Sequence, residues 1–514
     1  MEKNIRKLFM IIGVIVFAIA LRFALEFAFN AIWDFFEFGT LFGLLGRGFF
    51  VGIFALVWLS VTLRSESPNQ KLPWLLILAF EPVVGTTLFL TFGRNFKNSR
   101  RYKKRPLMVG DRYITRETSP EKMEFAMYDI PERPREIFRA AHHISHHQPF
   151  INDARIDILP NGETFYPDLE EAIQKAEKFI LLEFFIIRSD ETGRRIMEML
   201  IEKAEAGVDV KLILDGLGSA RMKRSYLRRL KKSAIDLIIN DPIYFPLFNT
   251  RINFRNHRKI VVVDGETAYT GGMNLGNEYD NRVASSYYFR DTQIKVRGTA
   301  IKSLTALFFK DYYYNTGEFI DTDFYYPHVT AGQKGVSQII ESGPDSDAAH
   351  IRNLYLKMIL NAKRSIKIMT PYMALDQETL TALETASQSG VDVEIIIPGD
   401  PDKYLVYKVT KYFVTTLLGF DIKIYSYDRG FSHAKVLIID DEMASVGSYN
   451  LDNRSAVIDF EVTALLYNDS VQTLVEHFEA DKEDSSLIDP VEWARRPLPT
   501  RLVESVFSLF SPII

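Results

Sequence analysis

Two hydrophobic textures divide the 514-residue chain. Residues 8–29, 41–63 and 72–92 are long apolar runs with few charges; from about 150 onward, short apolar runs alternate with amphipathic stretches. The first texture predicts membrane segments. Runs 41–63 and 72–92 are long enough to cross a ~30 Å hydrocarbon core. Run 8–29 carries Arg22 and Glu26 on one helix face, so it fits either a span or an interfacial helix. Trp33, Trp58 and Trp74 flank these runs as interfacial anchors do. No small-residue cleavage site follows residue 29, which argues against a cleaved leader. Glu81-Pro82 interrupts the third run. An ionisable group there calls for a partner, and Arg47 is the obvious one. In a straight antiparallel hairpin the two backbones differ in depth by about 10 Å. A Pro-kinked helix with Glu81 bonded to a neighbouring helix is the equal alternative.

The second texture repeats itself. Ala176 leads through an apolar strand to Asp190, a helix and Gly207-Val-Asp-Val; Ala362 leads likewise to Asp376, a helix and Gly390-Val-Asp-Val. The offset shrinks from 186 to 183 residues along these matches, as expected of one ancestral unit duplicated in tandem. Strands alternating with helices predict an α/β fold in which each half is a mostly parallel sheet flanked by helices. The expected organisation is a membrane-associated segment 1–35, a transmembrane hairpin with basic neck 36–105, a linker 106–150, and two halves, 151–335 and 336–514, the second with a C-terminal amphipathic tail. HHISHH at 142–147 has no acidic or cysteine neighbour, so it reads as an exposed helix end rather than a metal site.

Charge sharpens this picture. Residues 1–105 hold 14 Lys and Arg against 6 Asp and Glu, whereas the remainder holds 48 against 60. An acidic body on a basic neck speaks for an anionic lipid surface and against nucleic acid. The neck 94–105, RNFKNSRRYKKR, places the rest of the chain in the cytoplasm by the positive-inside rule. Lys3, Arg6 and Lys7 also favour the inside, so a two-span hairpin, 41–63 and 72–92, is expected, with 8–29 left open. The chain has no cysteine, which excludes disulfides and thiolate chemistry.

The chemistry lies in one further repeat, 176 residues apart. HRKIVVVDGETAYTGGMN (257–274) and HAKVLIIDDEMASVGSYN (433–450) share His-x-Lys, four residues, Asp, six residues, then Gly-[Gly/Ser]-x-Asn. His and Lys two apart share one face of a strand, so His257 and Lys259, like His433 and Lys435, sit together at a strand mouth. The glycines let backbone approach a bound group, and Asn274 and Asn450 add neutral donors. Facing each other, the two sets form an anion pocket flanked by two imidazoles, suited to a phosphoryl group.

Six matched positions present twice resemble the phospholipase D superfamily. Further stretches, NHRKIVVVDG, GGMNLGNEY, FRDTQIKVRG, FFKDYYYNTGE and SGPDSD, resemble the bacterial cardiolipin synthases within it, over about 41–514. The resemblance implies one active site at a pseudo-twofold seam, with the paired motif residues His257, Lys259, Asp264, His433, Lys435 and Asp440 as its catalytic set. It makes Asp291 and Glu461 the acids that orient the imidazoles. Lys259, Lys435, Asn274 and Asn450 would hold the phosphate, with no metal and no cofactor. Asp264 and Asp440 are less clearly at the phosphate and read as supporting residues. The implied reaction joins two phosphatidylglycerols into cardiolipin and glycerol through a phosphatidyl-histidine, at a bacterial cell membrane, with a multi-pass anchor and a cytoplasmic catalytic region. The oligomeric state is not legible. The rivals are a hydrolase releasing phosphatidic acid, a nuclease, and an inactive membrane scaffold. The tail VESVFSLFSPII has a helical apolar stripe that either covers the core or touches lipid.

Overall fold

The computed structural model describes residues 41–64, 68–92, 127–145, 150–242, 254–284, 287–320, 322–327, 335–346, 348–400, 402–509 and 511. The segments 1–35 and 94–105, including run 8–29 and the basic neck, lie outside them. Two compact units are distinguished, one N-terminal and one holding both halves of the repeat.

In the N-terminal unit Leu41–Thr62 is a 22-residue helix, with the side chains of 41–47 and Phe50 outside the description. The span expected at 72–92 is not one continuous helix. It is two helices, Pro68–Phe80 and Pro82–Phe92, folded back on each other so that the rings of Trp74 and Phe89 meet at 5.5 Å. Pro82 forces the break, since the residue before a proline is pushed out of the helical region. Gly85 permits the close return: a Cβ there would stand 2.9 Å from the Ile77 carbonyl oxygen. Among the described residues no helix is long and apolar enough to cross a membrane. Val57, Val61, Leu78 and Phe89 are buried, while Phe49, Leu56, Leu59, Leu63 and Phe80 stay exposed.

In the second unit each half builds one sheet. The first has seven strands in the order 154–160, 292–298, 267–271, 260–263, 179–184, 209–215, 236–240. The second has nine: 150–151, 335–342, 461–468, 443–447, 436–439, 365–369, 392–398, 423–427, 485–487. Both sheets are mixed, which corrects the expectation of mostly parallel ones. In the first, only 179–184 with 209–215 and 209–215 with 236–240 run parallel. The reason is local. Each motif strand turns back directly into the next, and a tight turn makes antiparallel neighbours. At that turn Asp264 and Gly265 have φ 53° and 68°, and Asp440 and Asp441 have φ 55° and 58°, as a type I′ turn requires.

Period-two alternation assigns the faces. Ile260, Val262, Ala268, Ile294 and Val296 share one core with Val436, Ile438, Ala444, Val446 and Ala464, so the two sheets pack face to face. Val261, Val263 and Tyr269 point the other way, onto helices Asn161–Lys175 and Glu191–Glu205. Leu437, Ile439 and Met443 do the same toward His350–Asn361 and Gln377–Gln388. Strands covered on both faces explain the unbroken IVVV and VLII. Asp190 and Asp376 cap equivalent helices, accepting from Gly193 N–H (3.0 Å) and Thr379 N–H (2.8 Å).

Of the expected linker 106–150, the described residues 127–145 pack on the body. Helix Glu132–Ile144 buries Ile137 and Phe138 in the second half's core, and Arg133 pairs with Asp440 and Glu442. His142 is buried there, so the exposed helix end expected at 142–147 is a packed one, with His146 and His147 outside the described residues. Its apolar face at 137, 138 and 141 carries the histidine inward.

Candidate active site

Each motif histidine precedes its strand and is fixed by the opposite half. The segment before His257 crosses the seam to meet the segment before Glu461: Asn256 and Phe460 bridge in parallel, and His257 N–H donates to the Phe460 carbonyl at 2.9 Å. The segment Gly430–Ser432, before His433, pairs in parallel with Tyr288–Arg290, before Asp291; His433 N–H donates to the Arg290 carbonyl at 2.6 Å. The two ladders have the same form, related by the duplication. Consequently the orienting acids are exchanged. His257 Nδ1 lies 3.0 and 3.1 Å from the Glu461 carboxylate oxygens, and His433 Nδ1 lies 2.6 Å from Asp291 Oδ2. A carboxylate on Nδ1 fixes the tautomer and leaves Nε2 for chemistry.

The lysines return to their own motifs. Lys259 Nζ donates to the His257 carbonyl at 2.5 Å, and Lys435 Nζ to that of His433. The lysines, the acids and His433 are buried and His257 is nearly so, and the loss of solvent dominates their proton affinities. It holds both imidazoles well below their usual value, with the neighbouring lysine the next cause in each case. It lowers Lys259 to about 7 and Lys435 to about 8, against the opposing pull of Glu461 and Asp291 respectively. It raises Glu461 to about 7 and Asp291 to about 6, against Lys259 and Lys435. Each half's cations act on the other half's histidine, so the groups form one electrostatic cluster. An anion placed between the lysines favours their charged forms and restores the imidazolium.

The remaining expected residues divide. Asn274 Oδ1 accepts from Ile186 N–H at 3.1 Å, which ties the motif to the end of the neighbouring strand. Asn450 is buried, and its Oδ1 has no hydrogen-bond partner among the described residues. Asp264 and Asp440 are not beside the histidines. They sit at the far ends of the motif strands, about 16 Å along the chain from the lysines at ~3.3 Å per residue. Asp264 accepts three backbone N–H groups, from Glu177, Lys178 and Phe179, each at 2.8 Å. Asp440 accepts from those of Lys363, Arg364 and Ser365. The left-handed turn that reverses the chain aims each carboxylate at the start of the adjacent strand. The motif glycines are also read differently. A Cβ at Gly272 would overlap the Asp291 carboxylate, so the glycine makes room for the orienting acid rather than for a bound group. Its counterpart Ser448 donates its hydroxyl to Glu461.

Several neighbours carry no sequence signal of their own. Rings of Phe289, Phe431, Tyr279 and Tyr372 surround His433 at 5.1, 5.9, 6.2 and 6.4 Å, whereas His257 has Phe185 at 5.0 Å. Lys403 Nζ lies 4.6 Å from the Tyr372 ring, and its charge reaches both histidines. Arg290 is held by Asp481 at 2.8 Å. Among the described residues no cluster of three or more acidic or histidine side chains is arranged to hold a metal ion.

The family model "Cardiolipin synthase, PLD-like domain" matches residues 169–282 and 355–482, one segment in each half. The cardiolipin synthase of Geobacillus kaustophilus is 38% identical over 460 residues, covering 89% of this chain and 91% of its own. The chain belongs to the cardiolipin synthase family. The cardiolipin synthase of Alkalihalophilus pseudofirmus is 37% identical, with 88% and 90% covered. Among solved structures, a phosphatidylserine synthase from Haemophilus influenzae superposes with TM-score 0.59 at 17% identity, over 74% of this chain and all of its own. At that identity the likeness is one of fold alone.

Proposed function

We propose that this protein is a phosphatidyltransferase that makes cardiolipin from two phosphatidylglycerols, releasing glycerol. The observation that supports it best is the crossed pair of dyads, His257–Glu461 and His433–Asp291, each with a buried lysine beside it. The donor's phosphodiester sits between Lys259 and Lys435, with Asn274 and Asn450 as neutral donors. These fixed groups meet the charge that develops on the non-bridging oxygens where water is excluded. Neutral His257 attacks phosphorus through Nε2, the P–O bond to glycerol breaks, and His433 gives its proton to the leaving alkoxide. His433 then takes the proton of the second phosphatidylglycerol's hydroxyl, whose oxygen displaces His257 from phosphorus. The shorter contact of His433 to its acid, 2.6 against 3.0 Å, suits the group that carries the proton. The reaction is reversible, because one phosphodiester replaces another.

The apolar N-terminal unit, with its many exposed Leu, Phe and Val side chains, serves as anchor in a bacterial cell membrane, with the catalytic unit on the cytoplasmic side. Purified protein given phosphatidylglycerol should release glycerol and cardiolipin in equal amounts. Release of phosphatidic acid instead assigns it to the hydrolases. With His257→Asn no phosphatidyl-enzyme is trapped, and with His433→Asn it accumulates; the opposite pattern exchanges the roles.

A further inference from the structure

The C-terminal helix Leu498–Ser508 wears its hydrophobic stripe on the outside. Leu498, Leu502 and Leu509 are 75%, 63% and 76% exposed, and Val506 lies on the same face at i+4 from Leu502. The opposite face is the anchored one. Glu504 is buried and receives Arg496 at 2.9 Å, Phe507 packs on the second half's core, and Trp493 Nε1 donates to Thr415 at 3.0 Å. The helix it packs against, Tyr404–Leu418, adds exposed Tyr404, Leu405 and Tyr412. A solvated helix would turn polar residues outward; this pair turns leucine and tyrosine outward.

Charge identifies the occupant. Residues 403–418 and 490–509 hold Lys403, Lys408, Lys411, Arg495 and Arg501 against only Glu492, once the pair Arg496–Glu504 is set aside. The chain as a whole is −4, so this face is a basic island on an acidic protein. A second copy placed on it by twofold symmetry would set like charge against like. An anionic bilayer satisfies both the leucines and the cations, at about 1 kcal/mol per basic residue near the surface. The position fits delivery of lipid. Lys403, at the N-cap of helix 404–418, has its Nζ 4.6 Å from the ring of Tyr372, which itself lies 6.4 Å from the His433 ring, and at the other end Asn453 Nδ2 donates to the Ser511 carbonyl at 3.1 Å, three residues from Asn450. The face therefore borders the mouth of the site.

We infer that the paired helices 404–418 and 498–508 form an interfacial docking face that lies in an anionic phospholipid surface and sets the active-site mouth against it. Only the choice of phosphatidylglycerol as the lipid rests on the transferase reading; the docking does not. The chain has no cysteine, so single labels are clean. Full-length Leu502→Cys and Leu509→Cys, carrying an environment-sensitive fluorophore, are compared in nanodiscs of phosphatidylglycerol with phosphatidylcholine and of phosphatidylcholine alone, beside a Lys175→Cys control. Docking predicts a blue shift, and quenching by spin-labelled acyl chains, at 502 and 509 in the anionic discs. The effect weakens at 1 M salt and does not occur at 175. Labels that report water in anionic discs overturn it, as does a shift that follows protein concentration without lipid, the mark of a second copy. A second measurement uses Leu502→Asp with Leu509→Asp. Turnover of bilayer phosphatidylglycerol should fall at least tenfold more than turnover of a short-chain, monodisperse one, and equal losses overturn the docking. Whether the product is cardiolipin or phosphatidic acid tests the transferase reading separately.

Discussion

The two halves share a frame and differ beneath it. Under His257 the support is polar and ionic: Arg258 pairs with Asp311 and, from the second half, with Glu341 (2.5 Å), Asn256 bonds Glu183, and Arg255 meets Asp215 at 3.3 Å. The equivalent positions in the second half are Ala434, Ser432 and Phe431, and Met369 replaces Glu183. Above that layer, the dyad, the lysine and the cross-seam ladder are the same in both. Duplication preserved the dyads and the lysines, while the support below was free to become charged in one half and apolar in the other. The support under His433 can rest on packing alone, whereas that under His257 holds only as long as every charge keeps its partner.

The sharpest way to break the symmetry is at the exchanged acids. Glu461→Gln and Asp291→Asn should each lower kcat by about 10⁴-fold, because each leaves its histidine in the wrong tautomer. The crossing itself is read by double-mutant cycles in steady-state kinetics. His257 should couple more strongly to Glu461 than to Asp291, and the reverse holds for His433. Coupling within each half would break the seam as described.

Next in size is the support. Arg258→Ala removes the buried cation shared by Asp311 and Glu341, leaving Lys310 on Glu341, and should cost about 3 kcal/mol of stability, measured by denaturant unfolding of the full chain in detergent. Ala434→Gly, at the matching place, should cost less than half as much. Smaller again is the pair Gly272 and Ser448. Gly272→Ala pushes Asp291 off His433 and should reduce kcat about 10²-fold, the usual result of a misplacement near 1 Å. Ser448→Gly removes one hydrogen bond to Glu461, worth about 1 kcal/mol.

Much of this was legible in the chain, and what was not has physical causes. Residues 257–274 and 433–450 announced the histidines, lysines and the duplication, because each spacing is set by one strand and one turn. Asp291 and Glu461 were visible as acids, but their exchange was not: which half an acid serves depends on Asn256–Phe460 and Gly430–Ser432 pairing across the seam, a contact without local pattern. The parallel-sheet expectation failed at Asp264-Gly265, where turn chemistry outweighs strand–helix alternation. The single helix expected at 72–92 failed at Pro82, since hydropathy counts length and ignores a reversal. Lys403 sits in a segment with no motif and is placed by a fold that only the whole chain determines.

A pH-dependent effect distinguishes function from stability at one residue. Glu461 has its proton affinity raised from an ordinary 4.5 to about 7, first by burial. Between those values the folded chain holds a proton that the unfolded chain has lost, so this residue's contribution to stability grows as pH falls from 8 to 5. Lys259, lowered from 10.5 to about 7, works in the opposite sense: the unfolded chain holds the extra proton, and its contribution grows as pH rises from 7 to 10. The imidazoles, held low, also gain as pH rises toward 6.5, so the melting curve of the parent mixes all of these. The difference between Glu461→Gln and parent isolates one. At pH 8 the inactive variant should melt a few degrees higher, on the order of 1–3 kcal/mol, because it no longer buries a carboxylate. At pH 5 the parent's Glu461 is protonated and the gap should close. A gap that stays constant between pH 5 and 8 means that the carboxylate is fully compensated by Lys259 and Ser448. The site would then carry no stored cost for the charge it uses to hold His257.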